Sequence, residues 1–320
     1  MKTIDMINLV NRYVEAYEDS RYGHDGGSGS REFGGFYDSL ARLKRSDQAK
    51  LSQGLRKVAS TTKGIDDGVT PLTRAMASFL LFWVHDDPKN LTEKDRKTFT
   101  TNMHGIVTIN TASRDILFVY ARDSQRYRRE IERGKTITPT PLELAAREAV
   151  PDALIYLAQS NLLASFQIAS ASINAHTVES MIPFVLSVIP SYLDRIEKIA
   201  NPEYINSAPA YQAGYVINKM SRYVTPDNQS DEAICDLWQQ AAGTYLKQCK
   251  PALAALVSDA FHTDYTGPSS IPTSTRLQET AEAFYLAHEK DIRTTARIDS
   301  YGNGRRSSRL TALLARSMPD

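Results

Sequence analysis

Residues 153–178 read ALIYLAQSNLLASFQIASASINAHTV, and no Asp, Glu, Lys or Arg occurs between Asp152 and Glu179. A second uncharged run, MIPFVLSVIPSYL, spans residues 181–193. Charge is scattered through the rest of the chain, so a core is expected to form over residues 142–199. At about 1.5 Å per residue the first run is long enough to cross a ~30 Å hydrocarbon layer. Its polar members, among them Gln159, Asn161, Ser165, Gln167 and Asn174, would then need hydrogen-bond partners where water is absent. Its small members, Ala158, Ala164, Ala169 and Ser172, suit close approach of neighbouring helices. The run is therefore expected to be a helix buried in protein, with Pro151 in its first turn and Thr177 capping the helix that follows.

Working outward, helical spacing dominates. Ile7, Val10, Val14 and Tyr17 place a helix over residues 3–21. Ser46 is read as the cap of a helix reaching Ser60. Thr70-Pro71 opens the apolar helix LTRAMASFLLFWV, because proline at the first helical position gives up only an amide that has no helical partner. Thr92 and Asp95, three apart, form a capping box, and Thr275 with Gln278 forms a second. Residues 103–120 are rich in β-branched and aromatic side chains and fit either a hairpin or a helix, of which helix agrees better with the downstream pattern. Further helices are expected near residues 210–223, 230–245, 251–261 and 277–292. The expected class is all-α and multi-helical. Two helical lobes, 1–135 and 142–300, are expected, joined through Gly134–Pro141 and followed by a basic arm over 301–320.

Composition narrows the function. The 320 residues carry 38 basic and 37 acidic side chains, a formal charge of +1, with 42% hydrophobic and 23% charged residues. That balance fits a globular chain, and nucleic-acid contact would have to rest on local patches. Cys235 and Cys249 are the two cysteines. Two thiols do not make a disulfide framework, and no Cys/His metal spacing surrounds them, so a reducing, cytoplasmic setting is expected. The first eighteen residues include Asp5, Arg12, Glu15 and Glu18, which leave no signal-peptide core.

No catalytic or cofactor motif emerges. The loop GHDGGSGSREFGG, residues 23–35, lacks the GxxxxGK[ST] and GxGxxG patterns whose backbone amides cradle phosphates. His85-Asp86 resembles the doublet with which all-α phosphohydrolases hold a divalent metal, but further ligands are not evident nearby, and Asp86-Asp87-Pro88 also stops a helix. No metal, cofactor or catalytic residue is assigned.

The clearest functional pattern is arginine. Arg122, Arg126, Arg129 and Arg133 are spaced four, three and four residues apart, so on a helix they share one face. Ile116, Tyr120, Tyr127 and Ile131 form a second stripe about 140° away. Guanidinium groups in a row offer paired donors to phosphate oxygens. Arg305, Arg306 and Arg309 repeat the theme near the C-terminus, ahead of Leu310, Leu313 and Leu314. The expected function is a non-enzymatic helical assembly protein that binds or coats nucleic acid without strong sequence preference. Self-association is expected through the terminal arm, and no membrane role is. The alternatives are the His85-Asp86 phosphohydrolase and an adaptor for acidic peptides.

Overall fold

The structure is a computed structural model and describes residues 3–22, 44–61, 68–85, 88–107, 141–173, 177–226, 229–261, 263–264 and 271–295. The fold is all-α and multi-helical. Its contacts divide the chain into two compact units between Leu157 and Ala158. The expected linker, 134–140, lies outside the described residues, as do the glycine-rich loop, residues 108–133 and residues 296–320.

Among the described residues, five helices lie wholly or mainly in the first unit. They are α1 (Thr3–Tyr22), α2 (Arg45–Ala59), α3 (Pro71–Val84), α4 (Glu93–Val107) and α5 (Pro141–Ser160). α3 packs against α1, α2 and α4, and its near-continuous apolar sequence is explained by that position. Ala75, Met76, Ala77, Phe79, Leu80, Leu81, Phe82 and Val84 are all buried, as a helix surrounded by others requires. Its start matches expectation: Thr70 and Thr73 form a reciprocal capping box, with Pro71 at the first position. Just upstream, Gly68 has φ +71°, a left-handed backbone that glycine adopts without steric cost. Asn11 of α1 holds this entry, donating to the Gly68 carbonyl at 3.1 Å and accepting from Thr73 Oγ1 at 2.8 Å. The box before α4 also forms: the Asp95 amide donates to Thr92 Oγ1 at 3.2 Å, and the Thr92 amide donates to Asp95 Oδ2 at 2.8 Å. Residues 103–107 are helical and end α4; the rest of 103–120 lies outside the described residues. Ser46 does not cap α2. The helix begins one residue earlier, after Lys44, which makes no side-chain cap bond.

The central uncharged stretch is broken where one helix was expected. Pro151 sits well inside α5 and not in a first turn. The break comes at Asn161, whose side chain accepts from the Ala164 amide at 3.0 Å and opens α6 (Leu162–Ser172). α7 (Val178–Glu197) follows, and Thr177 precedes it without a side-chain cap bond. The Thr177 hydroxyl donates instead to the Ser172 carbonyl at 2.5 Å. Among the described residues no helix is long and apolar enough to cross a membrane.

The second unit continues with α8 (Ser207–Ser221), α9 (Gln229–Gln248), α10 (Lys250–Ala260) and α11 (Thr275–Thr295). A two-residue antiparallel pair, β1 (Thr263–Asp264) with β2 (Ile271–Pro272), sits between the last two. α9 packs against α7, α8, α10 and α11. Its Trp238 and Tyr245 are fully buried, and each hands its polar atom to α8. Trp238 Nε1 donates to Asn218 Oδ1 at 3.1 Å, and the Tyr245 hydroxyl donates to the Ala210 carbonyl at 3.0 Å. Asn218 Nδ2 in turn donates to the Leu256 carbonyl at 3.0 Å, so one amide joins α8, α9 and α10. Gly214 lets α8 and α10 close up, because a Cβ there would stand 3.2 Å from Leu256 Cδ1. The cap of α11 is Ser274, whose hydroxyl accepts from the Leu277 amide, one residue before the expected Thr275. Gln278 reaches back to the Thr273 carbonyl at 3.1 Å. α7 contains Pro183 and Pro190, with Pro183 exposed.

Candidate functional site

The arginines singled out from the sequence, Arg122, Arg126, Arg129, Arg133, Arg305, Arg306 and Arg309, lie outside the described residues. His85 is described and Asp86 is not. His85 ends α3, and its Nε2 lies 2.9 Å from Ser52 Oγ. The Ser52 hydroxyl donates to the Gln48 carbonyl at 2.7 Å, so its proton is already committed. Nε2 must then be the donor to Oγ, which withdraws that nitrogen from metal ligation. Among the described residues no three His, Cys, Asp or Glu side chains are grouped to hold a metal ion.

Arg222, Asp231, Cys235 and Cys249 are the buried ionisable side chains of the second unit that bear on chemistry. Asp231, at the start of α9, lies 3.9 Å from Arg276 Nε of α11. Arg222 pairs with Asp259 at 3.3 Å. Burial, and then the Asp231 charge, push the Cys235 thiol up to about 12, and burial also raises Cys249. A thiol shifted upward is protonated near neutral pH and is a poor nucleophile.

A groove in the first unit, edged by cations and hydroxyls, offers more. It has a volume of about 730 Å³ and is bounded by the C-terminal end of α2, the first turns of α3, and one face of α4. Arg74, Lys94 and Lys97 line it against a single carboxylate, Glu93, and Ser60, Thr61, Thr98 and Thr101 add hydroxyls. Lys97 lies 3.8 Å from Glu93, but both are largely exposed, where such a pair is worth roughly 0–1 kcal/mol. Arg74 and Lys94 have no acidic partner among the described residues. The next carboxylate along α4, Asp95, is turned away: it accepts from Arg56 Nε at 2.9 Å and Nη2 at 3.0 Å. Burial works against its charge, yet the Arg56 and Thr92 bonds outweigh that and hold its carboxyl below the ordinary value. The acid that could neutralise the groove is thereby spent on structure.

Asn102 fixes the groove's floor. Its amide nitrogen lies 3.0 Å from the Ala59 carbonyl, 3.2 Å from the Arg74 carbonyl and 2.7 Å from Ser78 Oγ. The Ala59 carbonyl is one of the four that a helix leaves unpaired at its C-terminal end, so Asn102 both closes α2 and locks three helices around the cations. Further along α4, His104 stacks on Tyr156 of α5, with ring centroids 5.4 Å apart and planes inclined by 4°. About two turns back along both helices, Arg96 and Glu148 approach to 3.5 Å.

The groove residues escaped the sequence reading, although a signal was present. Lys94, Thr98, Thr101 and Gly105 fall at positions i, i+4, i+7 and i+11, one face of a helix made of cation, hydroxyl and glycine. Arg74 and Tyr156 become legible only once the tertiary contacts are known. No protein-family profile, curated protein or solved structure matches this chain.

Proposed function

We propose that this protein is a non-enzymatic helical assembly protein that binds nucleic acid through phosphate contacts, without strong sequence preference. The observation that carries the proposal is the α2–α3–α4 groove, with three cations to one carboxylate and with Arg74 and Lys94 unpaired among the described residues. In a chain of net charge +1 such a local excess is what attracts a polyanion. Lysine ammonium groups and threonine hydroxyls grip phosphate oxygens and carry no base information. In this proposal Arg122, Arg126, Arg129 and Arg133 extend the basic surface, and Arg305, Arg306 and Arg309 in the terminal arm join binding or self-association. A cytoplasmic setting is supported by Cys235 and Cys249, both free and buried.

The test is fluorescence anisotropy with labelled oligonucleotides of unrelated sequence across a salt series. Each neutralised phosphate of a single strand contributes about −0.7 to the slope of log K against log salt. Lys94→Glu with Lys97→Glu should therefore reduce the slope by about 1.4 and weaken all sequences alike. Absence of binding at low salt, or binding unaffected by the double reversal, refutes the groove as the site.

A further inference from the structure

We infer that the strand held by this groove is single, and that one of its bases stacks on Tyr156. This rests on the groove's binding nucleic acid and specifies which kind. Lys97 and His104 are seven residues apart on α4, about two turns, so they share a face and lie about 10 Å apart along the axis. His104 covers one face of the Tyr156 ring, with the two planes inclined by only 4°. Tyr156 is nonetheless 45% exposed. Its neighbours Ala153, Leu154 and Leu157 are buried, so α5 is anchored without it. An exposed tyrosine gains little from water on an open ring face. Here the ring stacks on a second aromatic, His104, which shares a face of α4 with Lys97.

A cationic track with an aromatic platform alongside is how proteins grip unpaired strands: the backbone follows the charges while a base lies flat on the ring. A duplex cannot use such a platform, since its base faces are already stacked on one another. Stacking is also tolerant of sequence, because every base has a π-face, in keeping with phosphate contacts that read no bases.

The experiment compares three probes of equal length by anisotropy: an oligothymidine strand, a deoxyribose-phosphate strand lacking bases, and a duplex. The readout is the ratio of affinities for the strands with and without bases. Stacking on one aromatic is worth about five- to 150-fold per base, so Tyr156→Ala should lower that ratio at least about fivefold. Tyr156→Leu keeps an apolar side chain on the helix but offers no ring and should lower the ratio similarly, whereas Tyr156→Phe should recover most of it. Far-UV circular dichroism checks folding of each variant. If the ratio is the same in wild type, Ala and Leu variants while Lys94→Glu with Lys97→Glu weakens both strands, the platform is wrong and the groove stands. Tighter binding of the duplex than of the single strand also overturns the inference. If the double reversal changes nothing, the groove falls and the platform with it.

Discussion

Replacing Asn218 with leucine tests whether one buried amide organises the second unit. Asn218 and Trp238 are both inaccessible to solvent, and leucine repeats the branched outline of asparagine with bulkier methyl tips, so the lost bonds set a floor on the cost. Two bonds disappear. The Leu256 carbonyl lies within α10, where the helical ladder still supplies a donor, so that loss costs about 0.5–1.5 kcal/mol. The indole N–H keeps no other acceptor among the described residues, and a buried unsatisfied donor costs about 1–3 kcal/mol. Asn218→Leu should therefore destabilise by about 1.5–4.5 kcal/mol. With a urea slope of about 2 kcal/mol per molar, the midpoint falls by about 1–2 M. Trp238→Phe alone leaves the Asn218 oxygen unpaired and opens a small cavity. The double variant removes the polar mismatch from both sides and retains only the cavity and the lost Leu256 bond. It should thus be at least ~1 kcal/mol more stable than the sum of the single effects predicts. Urea unfolding followed by far-UV circular dichroism measures all four proteins. Additivity within ~0.5 kcal/mol, or an Asn218→Leu protein as stable as wild type, would refute the reasoning.

Two predictions concern the first unit. Gly68→Ala forces a Cβ into the left-handed region at φ +71° and should cost about 1–2 kcal/mol; Gly68→Asn should cost less, as thermal melts of the two variants can show. Asp95 has a depressed folded-state value, so its stabilisation is fully present above the unfolded aspartate value of about 3.9 and is lost as pH falls through the folded one. Urea midpoints measured from pH 7 downward should show an acid limb that flattens in Asp95→Asn, and an unchanged limb would mean that other carboxylates govern it.

What the sequence revealed follows from the range over which each signal acts. Thr70-Pro71 and Thr92 with Asp95 were legible because a cap is made within four residues of itself. The second box slipped by one position: Ser274 and Thr275 are adjacent hydroxyls, and only the backbone decides which one accepts the Leu277 amide. Pro151 misled because proline also survives inside a helix when neighbouring packing offsets the missing bond. Asn161 went unnoticed as a helix start since no charge or glycine marks it. Asn102 with Ala59, Asn218 with Trp238 and His104 with Tyr156 join positions that only the folded chain brings together, and no local pattern encodes those pairings. The groove was half-visible for the same reason. The face of α4 could be read from spacing, while Arg74 and Asn102 needed the packing of α3.

The two prolines of α7 limit what that helix can touch. Proline has no amide hydrogen, so in a ladder joining each amide to the carbonyl four residues back, the carbonyls of Glu179 and Leu186 have no helical donor. Glu179 and Pro183 are exposed, and Leu186 is 37% exposed, so both gaps fall at residues that water reaches. Leu186 thereby differs from an ordinary exposed leucine. An apolar surface pressed onto it would dehydrate two acceptors at a cost of about 1–3 kcal/mol each, more than a partly buried leucine returns. The outer edge of α7 is thus guarded against flat hydrophobic partners, including another copy of this chain, and a successful partner there must arrive with hydrogen-bond donors of its own.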